Sequence, residues 1–127
     1  MDTERSAKIL IGDEEYTLTL TTKATKEIAG RYGGLENLGD QLMKAENFEM
    51  ALSEIVWLIT LLANQSILIH NLKHRDDPRE LLTVDLVELL TVPADLATYK
   101  SAIMDALLKG TKRNVESEAD AKNVAVE

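Results

Sequence analysis

The chain has 127 residues, 45% apolar and 28% charged, a balance that folds and that fits one domain of ordinary size. Fourteen basic side chains against 22 acidic ones give a net charge of −8, so the field around the molecule repels phosphate and nucleic acid is not an expected partner. There is no cysteine, which excludes disulfides, thiolate nucleophiles and cysteine-bound zinc and agrees with a reducing compartment.

In chain order, Met1-Asp2-Thr3-Glu4-Arg5 is polar and acidic, with no basic lead into an apolar run, so no secretory signal is expected and the reading places the protein in the cytoplasm. Residues Ala7 to Leu20 read as a β-hairpin turning at Gly12-Asp13, where glycine tolerates positive φ. Tyr16, Leu18 and Leu20 alternate with Thr17, Thr19 and Thr21, so one face packs and the other is wet or paired. A lone hairpin is marginal in water, and this one needs helices beneath it.

Thr21 or Thr22 caps a helix that carries Ala24, Ile28, Ala29 and Tyr32 at helical spacing and stops at Gly33-Gly34. Leu35 to Lys44 reads as a short second helix. The longest element runs from an Asn47 cap to about Leu72 and is apolar on most sides, so it is expected to be buried on most sides. Its most apolar window, Ile55 to Ile69, is broken by Asn64, Gln65 and Ser66 and falls short of the roughly 20 residues that cross a bilayer, so no membrane is expected. At 1.5 Å per residue the helix is longer than so small a body is wide, so either neighbours wrap it or one end meets another chain, a sister copy included. Asp77-Pro78-Arg79-Glu80 has the form of a helix start, with a short helix through Leu82 restarted at Thr83-Val84-Asp85 and continued to Leu90. A last helix runs from Pro93 to a stop at Gly110.

The expected fold is therefore α+β and mostly α: an N-terminal β-hairpin packed on a bundle of about five helices around one long central helix. The domain spans residues 7–110, between a flexible 1–6 and a disordered tail over 111–127.

Few residues offer chemistry. His70 and His74, at i and i+4 with Asp76 and Asp77 nearby, form the best metal candidate, yet the run lacks the glutamate of a His-Glu-x-x-His site. The bland reading, cations at a helix end, is preferred, with a small metal-binding protein kept as an alternative. No serine sits in a Gly-x-Ser-x-Gly context, and Gly30-Arg31-Tyr32-Gly33-Gly34 follows a helix and lacks the Gly-Lys-Thr ending of a phosphate loop. No catalytic residue, cofactor or metal is expected. Lys73, Arg75 and Arg79 make the one basic cluster, mixed with Asp76, Asp77 and Glu80, too small for a nucleic-acid footprint.

The succession Ile-Gly-Asp-Glu-Glu-Tyr-Thr-Leu-Thr-Leu, Thr-Lys-Ala-Thr-Lys-Glu-Ile-Ala-Gly-Arg-Tyr-Gly-Gly-Leu-Glu-Asn-Leu, a long apolar helix ending Leu-Leu-Ala-Asn-Gln, and a late Leu-Leu-Thr-Val-Pro-Ala-Asp spans Ile9 to about Gly110. It resembles the tail assembly chaperones of long-tailed phages, particularly the small ones from prophages of Gram-positive bacteria. The resemblance implies a noncatalytic protein of virion morphogenesis in the bacterial host. Such a protein binds the tape measure protein, keeps it soluble, assists tail tube subunits in polymerising around it, and is absent from the finished tail. A longer frameshifted product is common in that family. Trp57, Leu61, Leu68, Ile69 and Leu72 are the expected contacts with the client or a sister subunit, with Trp57 more readily explained as core than as an anchor. A structural phage tail or connector protein is the alternative in the same class, and a DNA-binding regulator is disfavoured by the charge.

Overall fold

A computed structural model describes residues 6–34, 38, 48–95 and 97–110. Among them the protein is mostly helical, with an N-terminal antiparallel hairpin packed on helices. Strands β1 (Ser6–Ile11) and β2 (Glu14–Thr19) are followed by α1 (Thr22–Tyr32), the long α2 (Phe48–Lys73), the short α3 (Val84–Leu90), a single 3-10 turn at Pro93–Asp95, and α4 (97–110). Four helices lie among the described residues where about five are expected. Of the expected helix Leu35–Lys44 only Leu38 has its surroundings described, and it is fully buried. The Asn47 cap, the flexible start (apart from its last residue, Ser6, which lies in β1) and the tail over 111–127 lie outside the described residues.

The hairpin closes through Gly12-Asp13 with Ile11 opposite Glu14 and Ile9 opposite Tyr16. Within this turn only Gly12 has a positive φ, 64°, as a two-residue turn of the primed kind with glycine first demands. Ile9, Ile11 and Leu18 face the core while Leu10 on the opposite face stands in solvent. The threonine face is wet only in part, since Thr19 is buried.

α1 begins at Thr21, whose Oγ1 accepts from the Ala24 N–H at 3.0 Å, and ends at Gly33 with φ 84°, whose N–H donates to the Ala29 carbonyl at 2.7 Å. Ala24, Ile28 and Tyr32 form its buried face. The hydroxyl that caps α1 also donates to Gln65 Oε1 on α2 at 2.5 Å, and Gln65 Nε2 donates to the Leu61 carbonyl at 3.2 Å. A buried glutamine amide is thereby satisfied, and the start of α1 is tied to the middle of α2.

α2 is the axis. Ile55, Val56, Leu58, Ile59, Leu62, Ala63 and Ile67 are buried in one cluster with the hairpin, α1 and α4. The stretch Leu52–Lys73 is long and apolar enough to cross a membrane by length and composition, beyond the fifteen-residue window read from the sequence. In this fold that stretch is the core helix, because its apolar positions are taken up by neighbours on several sides.

The expected helix from Asp77 to Leu82 does not form: residues 78–83 are neither helix nor strand, and α3 starts only at Val84 behind a Thr83 cap. Asn71 Oδ1 accepts from the Arg79 N–H at 2.7 Å while its Nδ2 donates to the Arg79 carbonyl at 3.0 Å. Asn64 holds Leu82 in the same two-point manner, at 2.7 and 2.9 Å. The spacings match: seven residues of α2 advance about 10.5 Å and three extended residues about 10 Å. Backbone groups that a helix would need are spent on side-chain amides, and the segment runs antiparallel to α2 in place of coiling.

Gly110 is the last described residue of α4, buried and without a left-handed φ. A Cβ there would come within 2.7 Å of Leu20 Cδ2 and 2.9 Å of Leu20 Cβ, and the glycine is what lets α4 close on the end of the hairpin. Gly110→Ala is expected to destabilise the fold by about 1–3 kcal/mol, read as a lower melting temperature. An unchanged melting temperature would refute that contact.

Candidate partner-binding surface

Of the expected contact residues, Trp57, Leu61, Leu68 and Leu72 fall within about 60° on α2 at 100° per residue, with Ile69 to one side. The structure treats them unequally. Leu72 is 67% exposed and Leu68 36% exposed, whereas Trp57, Leu61 and Ile69 are half-buried. Leu68 sits between Asn64 and Asn71, so the pinned segment passes beside it.

Trp57 is engaged within the chain. The Arg31 guanidinium lies 4.4 Å from the indole centroid, and the Tyr32 ring meets it edge-on at 6.1 Å. Arg31 also forks onto Glu54, Nε to Oε1 at 3.2 Å and Nη2 to Oε2 at 3.1 Å, and the Tyr32 hydroxyl donates to Glu54 Oε1. Burial raises the Tyr32 hydroxyl pKa, and its bond to Glu54 adds to the rise. Burial alone would raise the Glu54 carboxyl too, but the bonds from Arg31 and Tyr32 outweigh it and hold the carboxyl below its ordinary value. This cluster locks α1 to α2; Trp57 serves it as a wall.

His70 and His74 stack, ring centroids 4.7 Å apart and planes 29° from parallel. His70 Nε2 lies 2.9 Å from the Asp77 carbonyl, so it is the donor. Stacked faces do not converge on a point. Among the described residues no group of three or more histidine or acidic side chains is placed to hold a metal ion.

The apolar surface that reasoning from α2 missed is on α3. Only Val87 of that helix is buried, while Leu86, Leu89 and Leu90 fall within about 100° of one another and stand in solvent, Leu89 being 83% exposed. Leu81, Val84 and Val92 flank them, also exposed. A run such as Val-Asp-Leu-Val-Glu-Leu-Leu reads as an ordinary amphipathic helix; its outward turn follows from the pinned segment before it. Below α3 lies an open groove of about 670 Å³ between β2 and the segment Arg79–Leu82, floored by Ser66 and Ile67.

Set against protein-family models, curated proteins and solved structures, the chain matches none.

Two outcomes test this geometry. Asn64→Ala leaves the Leu82 N–H and carbonyl without partners and is expected to cost about 1–3 kcal/mol, with faster hydrogen exchange at the Leu82 amide; unchanged exchange there would refute the pairing. A carboxyl with a lowered folded pKa stabilises above its unfolded value, about 4.5, and that stability is lost as pH falls through the folded value. Glu54→Gln should therefore flatten the loss of stability on acidification below that value, followed by melting at stepped pH.

Proposed function

We propose that this protein is a noncatalytic assembly chaperone of phage tail morphogenesis that covers apolar stripes of a long helical client, the tape measure protein, and hands it to tail tube subunits. The observation that carries the reading is the leucine face of α3. Leu86, Leu89 and Leu90 lie in solvent although the chain already buries a continuous core without them. An apolar face on a surface helix is suited to packing against a partner helix. The net charge of −8 supports the same reading, because a strongly acidic cover keeps a complex with an aggregation-prone chain dispersed. The resemblance in the order of sequence segments supplies the identity of the client. By this reading the contact is centred on α3 and extends to Leu72 and Leu68, while Trp57 and Leu61 support it from within. The site of action is the cytoplasm of the bacterial host.

Coexpression tests it. A tape measure protein coexpressed with this chain should be recovered in the soluble fraction only when the chain is present. Leu89→Glu should lower its recovery about tenfold, since burial of a carboxylate opposes contact there, with the melting temperature of the variant unchanged. Equal solubility of the client with and without this chain would overturn the reading.

A further inference from the structure

The groove between β2 and Arg79–Leu82 has two walls of extended backbone. In an antiparallel pair, alternate residues turn their N–H and carbonyl away from the partner strand. Two contacts fix which ones do so here: Tyr99 donates to the Leu10 carbonyl on the outer edge of β1 at 2.7 Å, and Ser66 Oγ donates to the Thr17 carbonyl on the outer edge of β2 at 2.8 Å. Leu10 stands opposite Glu15, so Glu15, in phase with Thr17, turns its backbone N–H and carbonyl out of the hairpin and into the groove. On the facing wall the asparagine pairs consume the backbone of Arg79 and Leu82. The backbone of Glu80 and Leu81 between them has no partner among the described residues. With the Thr17 carbonyl taken by Ser66, the part of the β2 edge left open at the groove is the Glu15 N–H and carbonyl and the Thr17 N–H, and an open strand edge is a template for pairing unless it is covered.

We propose that this groove binds a short extended peptide segment of another protein, with alternating apolar and basic side chains, as a third strand on β2. The alternation follows from the lining. Ile67, Leu82 and Leu86 offer apolar contact to side chains that point inward, while the carboxylates of Glu14, Glu15 and Glu80 stand against the one guanidinium of Arg79 at the rim, a local excess of the same sign as the whole chain. Backbone pairing supplies the grip, and alternate side chains supply the choice of partner. The proposal shares only Leu86 with the chaperone reading, whose contact is centred on the leucine face of α3 and tested at Leu89, so the two tests can fail separately.

The test uses the full chain, labelled for amide NMR, and three capped hexapeptides: one alternating valine and lysine, one alternating valine and glutamate, and the valine-lysine peptide N-methylated at alternate residues. The valine-lysine peptide should shift the amides of Glu15, Thr17, Glu80 and Leu81, and the other two should bind about tenfold more weakly or less. Glu15→Lys combined with Glu80→Lys, both exposed positions, should weaken the valine-lysine peptide about tenfold with the melt retained. If that variant does not fold, the three peptides on the unaltered chain decide. Unmoved amides at these four positions, or equal binding of the N-methylated or the glutamate peptide, would overturn the proposal.

Discussion

Two asparagine amides on an otherwise apolar helix organise half of this molecule. Asn64 and Asn71 each pair with the N–H and carbonyl of one residue of the returning chain, so a helix edge acts as a strand edge would. A two-turn spacing on α2 is commensurate with three extended residues, which lets both amides close. From that constraint follow the extended run through Leu82, the position of the Thr83 cap, and the direction in which α3 leaves. The groove beside β2 exists because the returning segment is held off the sheet.

The two ends of α2 are consequently different surfaces. Toward its N-terminal half, Arg31, Tyr32, Glu54 and Trp57 form one interlocked cluster, in which the Glu54 carboxylate takes up the guanidinium and the phenol and the half-buried indole packs against both. Toward its C-terminal half, hydrogen bonds run to backbone, and the apolar side chains left over face solvent on α3 and at Leu72. A body that closes its core without using those leucines has surface to give to another chain. Its net charge of −8 surrounds that surface with an acidic field. That combination, apolar face and acidic field, is what the proposed chaperone role requires, and it needs no reactive group.

The same contrast separates what was legible in the residues from what was not. The hairpin, α1 with its Thr21 and Gly33 caps, and the long α2 are written in local signals: period two, a capping hydroxyl, a glycine free to turn left-handed, and an apolar run. Asn64 and Gln65 stood out as breaks in an apolar run, yet which partners they would find was invisible, since Leu82 and Thr21 are 18 and 44 residues away in the chain. Asp77-Pro78-Arg79-Glu80 carried every local sign of a helix start and still did not make one, because propensity at a surface turn is worth less than two paired amides on a fixed track. Leu68 and Leu72 were legible as candidates for contact because they widen the apolar stripe of α2. Trp57 was legible only as an ambiguity between core and contact, and its packing against Arg31 and Tyr32 was not legible at all.

By itself the sequence determined the class of fold, the order of its elements, the acidic field and the absence of thiol chemistry, all of which depend on composition or on neighbours within a turn or two. Only the tertiary structure decided that residues 78–83 stay extended, that Gly110 is a point of close approach to Leu20, and that an apolar face of α3 is turned to solvent. Each of those rests on atoms far apart in the chain, and the energy of bringing such atoms together has no signature in local pattern.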